Sequence, residues 1–182
     1  MAGTHVALLR GINVGRAKRV AMADLRALVA ELGYGDVRTL LNSGNVVFAV
    51  PKSMRGNPAP RIENAIVARL RISSRVTVLT AAEVDAVVRE NPLGKVAMDP
   101  SRLFVAVPAG QADRLRLKPL TRQDWAPDVF AIGKRVAYLW CPQGMMESEL
   151  AGAVGKLLGD AVTTRNWATI TKLHALANDG SR

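Results

Sequence analysis

Three short clusters of polar residues stand where apolar segments end, and their side chains are typical of sites that hold anions. They occupy residues 10–15, 42–45 and 163–167 of the 182-residue chain. Arginine, asparagine, serine and threonine side chains donate hydrogen bonds, as do exposed backbone amides. None of the clusters contains an aspartate or glutamate that could act as a general base, which favours holding an anion over transferring a proton. The predicted ligand-binding residues are Arg10, Gly11, Asn13, Gly15, Ser43, Asn45, Thr164, Arg165 and Asn166.

We expect these three loops to converge on one groove that binds a small phosphate- or carboxylate-bearing ligand. A guanidinium at Arg165, beside the free amides at the start of the last helix, would form a clamp for such an anion. Gly11 and Gly15 bracket a turn whose amides could point at the same ligand. The lysine and serine or threonine of a phosphate-binding P-loop are absent after these glycines, so the cluster does not predict nucleotide hydrolysis.

Each cluster also has a purely structural interpretation. The glycines allow a sharp turn, serine, glycine and asparagine are preferred turn residues, and Asn166 can cap the last helix. Arg165 could form an internal ion pair. On this interpretation the three clusters only stabilise the fold through intramolecular contacts, and the function depends on partner proteins. A further alternative is an enzyme whose acid or base lies outside the clusters, for example Asp24 or Glu147. The sequence does not decide whether the protein is an enzyme.

Positive charge is concentrated in the first half of the chain. The formal net charge is +10, and residues 1–80 hold 12 Lys/Arg against 4 Asp/Glu, a net charge of +8. Arg16, Lys18 and Arg19 lie close together, and Lys52 and Arg55 follow. A basic surface attracts nucleic-acid phosphates, so backbone binding to nucleic acid is the alternative function. Aromatic residues are only 4% of the chain, which disfavours an RNA-binding sheet that stacks bases on aromatic side chains.

Several classes of protein are excluded or disfavoured by composition. The single cysteine, Cys141, cannot form an intramolecular disulfide, which favours a reducing cytoplasm. His5 and His174 are the only histidines, so a His/Cys zinc cluster cannot form, and we expect no metal and no cofactor. Nowhere do 18 apolar residues run together, so we expect no membrane span, and the start of the chain does not resemble a signal peptide.

The order of predicted elements repeats along the chain. Residues 1–80 predict strand, helix, strand, strand, helix, strand, and residues 101–165 predict the same order before a final helix. We therefore expect an α+β fold of two ferredoxin-like βαββαβ halves packed together, residues 1–80 and 101–182, with an extra C-terminal helix. Residues 81–100 are expected to form a helical connector.

Local signals predict the ends of several elements. Thr80 and Glu83 form a capping-box pair, and Ser148 and Asn166 are expected to cap helices. The prolines of residues 51–60 predict a loop, and Gly133 before Lys134 predicts a two-residue type II′ hairpin turn.

Three segments carry a family resemblance. They are residues 8–15 (Leu-Leu-Arg-Gly-Ile-Asn-Val-Gly), 43–48 (Ser-Gly-Asn-Val-Val-Phe) and 164–167 (Thr-Arg-Asn-Trp). In these the chain resembles the bacterial domain-of-unknown-function 1697 (DUF1697) family over nearly its whole length. Arg16 stands where that family usually has a second glycine. The resemblance implies an α/β protein of about this length and no particular reaction.

Overall fold

The protein is a mixed α+β structure. The computed structural model describes residues 3–14 and 19–179, which form two four-stranded antiparallel sheets and six α-helices. The chain divides into two compact units, Met1–Val84 with Leu173–Arg182, and Asp85–Lys172. The α+β class predicted from the sequence is confirmed.

The sheet of the first unit has the strand order β2-β3-β1-β4, and each neighbouring pair is antiparallel. Its strands are β1 (Gly3–Leu9), β2 (Gly35–Leu40), β3 (Asn45–Val50) and β4 (Val76–Thr80), and its helices are α1 (Met22–Glu31) and α2 (Pro58–Leu70). The central strand β1 is buried on both faces, as its continuous apolar run predicts, with Val6, Ala7, Leu8 and Leu9 at most 1% exposed.

The core of the first unit lies between the sheet and the two helices. Leu25 and Val29 of α1, Ile62 and Ile66 of α2, and Phe48 of β3 belong to one buried cluster. The apolar residues of each helix recur at helical spacing, so one face of each helix packs on the strands. This packing fixes where α1 begins relative to the end of β1.

The segment predicted as a loop at residues 51–60 contains the start of a helix, and that part of the prediction is wrong. Helix α2 begins at Pro58, and the Asn57 side chain accepts a hydrogen bond of 3.0 Å from the Ala59 amide. Proline is well suited to the first turn of a helix, where its missing N–H has no intrahelical partner. The prolines therefore open the helix instead of preventing it.

The second unit repeats the arrangement with the strand order β6-β7-β5-β8, again antiparallel throughout. The elements from residue 81 onward are α3 (Ala81–Arg89), β5 (Leu103–Pro108), α4 (Gln111–Arg116), β6 (Val129–Ile132), β7 (Ala137–Trp140), α5 (Glu149–Leu158), β8 (Val162–Asn166) and α6 (Trp167–Asn178). Short 3-10 helices follow α4 and flank α5. The boundaries between the units fall inside α3 and α6.

Predicted helix caps are confirmed at three helices. The Thr80 amide donates to Glu83 Oε2 at 2.8 Å and the Glu83 amide donates to Thr80 Oγ1 at 3.1 Å, which is a reciprocal capping box. Ser148 Oγ accepts from the Ala151 amide at 2.9 Å at the start of α5. Asn166 Oδ1 accepts from the Thr169 amide at 2.9 Å at the start of α6.

The predicted type II′ turn at Gly133 is wrong. Ile132 pairs with Ala137, so four residues connect β6 to β7, and Gly133 does not have the positive φ that a type II′ turn requires. A Cβ atom at position 133 would lie 2.9 Å from the ring of Tyr138. Packing against that ring therefore accounts for the glycine.

No helix within residues 3–14 and 19–179 is both long enough and apolar enough to cross a membrane.

Candidate functional site

Two of the three predicted loops meet in the first unit. The loop after β1 contacts the β2–β3 turn, because Asn13 Nδ2 donates to the Asn42 carbonyl at 2.7 Å. The Leu9 amide donates to the Gly44 carbonyl at 2.8 Å, so β1 holds the same turn from its other side. Residues about thirty positions apart in the chain thereby form one surface at the end of the sheet.

Asn13 braces this surface with its side chain. Its Nδ2 also donates to the Val20 carbonyl at 2.9 Å, and its Oδ1 accepts from the Val20 amide at 2.8 Å. Asn13 has a φ of 55°, a left-handed conformation that asparagine tolerates better than most residues. Both amide hydrogens of Asn13 are donated to backbone carbonyls, so this side chain positions the loop and leaves no N–H for a ligand.

The β2–β3 turn is packed tightly against β1. Gly44 has a φ of +73°, and a Cβ atom there would lie 2.7 Å from Leu9 Cβ and 2.6 Å from Ile12 Cδ1. Asn45 is fully buried, and its Nδ2 donates to the Leu40 carbonyl and to Ser43 Oγ, both at 2.9 Å. Asn45 therefore holds the turn closed, while Ser43 itself is exposed.

The start of the first loop is anchored through its backbone. The Arg10 amide donates to the Arg75 carbonyl at 2.9 Å, and the Arg10 carbonyl accepts from Ser74 Oγ at 2.9 Å. Gly11 follows with a φ of +64° and nothing within 4 Å of the position of a Cβ atom. Gly11 is therefore needed for its conformation and not for close packing. Gly15, Arg16 and Lys18 lie outside the described residues.

A cleft of about 430 Å³ opens between this loop, the turn and the start of α1. Among the described residues it is lined by Asn13, Arg19, Val20, Ala21, Met22 and Asn42. We call it the α1 cleft. Its lining contains one described cation and no described carboxylate. The volume falls within the range of small-ligand pockets.

Two features make the α1 cleft favourable to negative charge. Arg19 is exposed and has no hydrogen-bond or ion-pair partner among the described residues. Ala21 occupies the N-cap position of α1 and provides no side-chain cap, so the amides of the first turn are not bonded by a capping side chain. The positive end of a helix dipole and its free amides attract an anion.

Arg19 belongs to the basic cluster seen in the sequence, but it is not one of the predicted ligand-binding residues. The available signal was the alanine immediately before the helical pattern, where a serine, threonine, asparagine or aspartate usually caps.

The third predicted loop lies in the second unit, at the junction of β8 and α6. Arg165 Nη1 donates to Thr163 Oγ1 at 3.0 Å and to the Thr164 carbonyl at 2.9 Å. Burial lowers the pKa of the Arg165 guanidinium to about 10, so the group is still a cation at neutral pH. Asn166 Oδ1 accepts from both the amide and the hydroxyl of Thr169, at 2.9 and 2.7 Å. That this loop shares a ligand with the first two stays a prediction.

In the described part of the chain, no three His, Cys, Asp or Glu side chains come together as metal ligands. Asp24 lies in the first turn of α1 and Glu147 in a short 3-10 helix before α5, and both are exposed. Neither lines the α1 cleft. The described groups of the cleft can hold and orient an anion.

The fold and the sequence of the chain are both similar to those of known proteins. The solved structure of the conserved bacterial protein SP0830 from Streptococcus pneumoniae is similar, with a TM-score of 0.80 and 20% identity over 98% of this chain and 99% of that chain. At this identity the likeness concerns the fold. No curated protein matches the sequence. The model of the family described as Protein of unknown function (DUF1697) matches residues 2–138, which is most of the chain. The chain therefore belongs to the DUF1697 family.

Proposed function

We propose that the α1 cleft binds a small ligand through a phosphate or carboxylate group. The observation that carries the proposal is the unpaired Arg19 in the same cleft as the uncapped start of α1. A guanidinium gives an anion two parallel hydrogen bonds, and the free amides of a helix start give further bonds in a fixed direction. No described carboxylate lines the cleft to repel such a ligand.

The predicted site residues take two different roles in this proposal. Asn13 and Asn45 donate their amide hydrogens to the protein itself, which supports a positioning role for both. Arg19 and the first-turn amides of α1 would contact the ligand. Arg10 and Gly11 belong to the start of the same loop but not to the described cleft lining, so their contact with the ligand stays a prediction. Participation of Gly15, Ser43, Thr164, Arg165 and Asn166 stays a prediction.

Replacing Arg19 with alanine is expected to weaken anion binding at least about tenfold, because one charge-assisted hydrogen bond contributes about 1.5–3 kcal/mol. The measurement is the ligand-induced rise in melting temperature with inorganic phosphate, AMP, ribose 5-phosphate and citrate. A ligand at about 100 times its dissociation constant stabilises the folded protein by about 2.7 kcal/mol, which is readily detected.

Arg26→Ala is the matched control for this experiment. Arg26 is an exposed arginine of α1 outside the cleft lining, so its loss changes the net charge by the same amount. We expect Arg26→Ala to keep the full ligand-induced shift. Equal loss in both variants, or no loss in Arg19→Ala, would show that the cleft does not hold the anion.

Nucleic-acid backbone binding is the second candidate function. It is supported by the net charge of +8 on residues 1–80 and by the exposure of Arg19, Lys52 and Arg55 in the first unit. Such binding would fall at least about tenfold between 50 and 200 mM salt, because each neutralised phosphate releases counterions. Fluorescence anisotropy with a labelled 20-nucleotide duplex of mixed sequence measures this. Absence of binding at 50 mM salt would eliminate the candidate.

We also infer that each half of the chain is ferredoxin-like and that the protein acts in the cytoplasm. The strand orders β2-β3-β1-β4 and β6-β7-β5-β8, with helices between the first two and last two strands of each half, support the ferredoxin-like assignment. A reducing compartment is supported by Cys141, the single cysteine, which is buried and whose thiol pKa is raised by that burial.

A further inference from the structure

A second cavity, of about 360 Å³, lies in the second unit. It is formed by the segment that runs from the 3-10 helix after α4 into β6. Its lining contains both aromatic and acidic side chains and comprises Leu120, Thr121, Gln123, Asp124, Trp125, Ala126, Pro127, Asp128, Val129 and Phe130. We call it the Trp125 cavity. All of its described lining residues belong to one unit, so it forms within residues 85–172.

The aromatic wall of the Trp125 cavity is held in place. The indole Nε1 of Trp125 donates to the Leu120 carbonyl at 2.8 Å, which fixes the plane of the ring. Phe130 belongs to β6, and both aromatic side chains are half-buried. Among the described residues, no cation and no second ring stacks on either of them. Both rings also pack against the buried core of this unit, and each keeps a part of its surface exposed in the cavity lining.

The acidic side chains of the cavity are also fixed, but they are not neutralised. Asp128 Oδ2 accepts from Ser148 Oγ at 2.6 Å, and Asp124 Oδ1 accepts from the Ala126 amide at 3.1 Å. Neither carboxylate has an ion-pair partner among residues 3–14 and 19–179.

We propose that the Trp125 cavity binds a small organic cation, a compound that carries an ammonium or guanidinium group. Tryptophan is the aromatic side chain that best attracts a cation over its face, and the attraction increases when the cation is partly removed from water. The two carboxylates supply the compensating negative charge. Their hydrogen bonds to Ser148 Oγ and the Ala126 amide fix their positions and do not neutralise them. This site is distinct from the α1 cleft and takes ligands of the opposite charge.

The test uses choline and agmatine as probes, with 3,3-dimethyl-1-butanol as the uncharged analogue of choline. The Trp125 indole N–H signal is followed in ¹H–¹⁵N spectra of the full chain, and it is assigned by its absence from Trp125→Phe. We expect a saturable shift of this signal with at least one of the two cations. The uncharged analogue is expected to bind at least tenfold more weakly, because it lacks the charge that the carboxylates attract.

Asp124→Asn isolates the electrostatic contribution. Asp124 is exposed, and asparagine keeps the oxygen that accepts from the Ala126 amide, so the turn is preserved. We expect at least threefold weaker binding of the cation in this variant. Asp36→Asn is the matched control, since Asp36 is exposed in the first unit and loses the same charge. It is expected to bind the cation as the unaltered protein does.

Three results would overturn the proposal. The first is that neither choline nor agmatine gives a saturable shift. The second is that choline and its uncharged analogue bind equally well. The third is that Asp124→Asn binds the cation as tightly as the unaltered protein does. Asp124→Asn removes only an exposed charge, so we expect the variant to fold normally. Unchanged signals in the rest of its ¹H–¹⁵N spectrum verify this.

Discussion

Replacing Gly44 with alanine is expected to lower the free energy of unfolding by about 2–5 kcal/mol. Two separate penalties contribute. A φ of +73° strains any residue with a Cβ atom, and the new methyl group would lie 2.7 Å from Leu9 Cβ and 2.6 Å from Ile12 Cδ1. Leu9 and Ile12 are buried and at most 1% exposed, so they have little room to move away. Urea denaturation followed by circular dichroism measures the loss.

Gly11→Ala is the matched control for Gly44→Ala. Gly11 has a similar φ of +64°, but nothing lies within 4 Å of the position of its Cβ atom. The substitution therefore carries the conformational penalty alone, about 1–2 kcal/mol. Equal losses in the two variants would mean that the turn does not pack against β1 as described.

Replacing Asn13 with alanine is expected to cost about 2–3 kcal/mol of stability and to abolish anion binding in the α1 cleft. The substitution removes two donated hydrogen bonds and one accepted bond, and it leaves the Val20 amide without its partner. It also places alanine at a φ of 55°, which asparagine tolerates better. Without this brace the loop no longer holds Arg19 beside α1. Urea denaturation and the phosphate-induced melting shift measure the two effects.

Asn42→Ala is the control for Asn13→Ala. It tests whether the loss of stability comes from the Asn13 side-chain hydrogen bonds or from removing any asparagine side chain near the α1 cleft. Asn42 accepts the bond from Asn13 through its backbone carbonyl, which alanine retains, and its own side chain is exposed. We expect a change of stability within about 0.5 kcal/mol. If Asn42→Ala were as destabilising as Asn13→Ala, the described network would be wrong.

Much of the fold could be predicted because its signals are local. The apolar run of β1, the helical spacing in α1 and the capping pair Thr80 and Glu83 each lie within a few residues of one another. Such patterns follow from backbone geometry and need no knowledge of distant contacts. The start of α2 is not evident from the sequence, because a run of prolines is typical of a loop, although Pro58 occupies a position where proline is favoured.

The candidate site was less predictable because its contacts are distant in sequence. Nothing near Asn13 indicates that its side chain reaches the Asn42 carbonyl, 29 positions away. That contact depends on β3 pairing antiparallel with β1, so that the β2–β3 turn lies beside the end of β1. The role of Gly133 is unpredictable for the same reason. A glycine is required there because the ring of Tyr138 packs against it, and the local sequence of the turn does not show that contact.

Anion binding at Arg19 and the first turn of α1 can be observed residue by residue. A titration of the ¹⁵N-labelled protein with inorganic phosphate and AMP tests it most directly, because each backbone amide reports separately. We expect saturable shifts at the Met22 and Ala23 amides and at the Arg19 side-chain Nε–H, with little change at Arg26. Shifts that do not saturate, or that spread evenly over exposed basic residues without involving Met22 and Ala23, would contradict it.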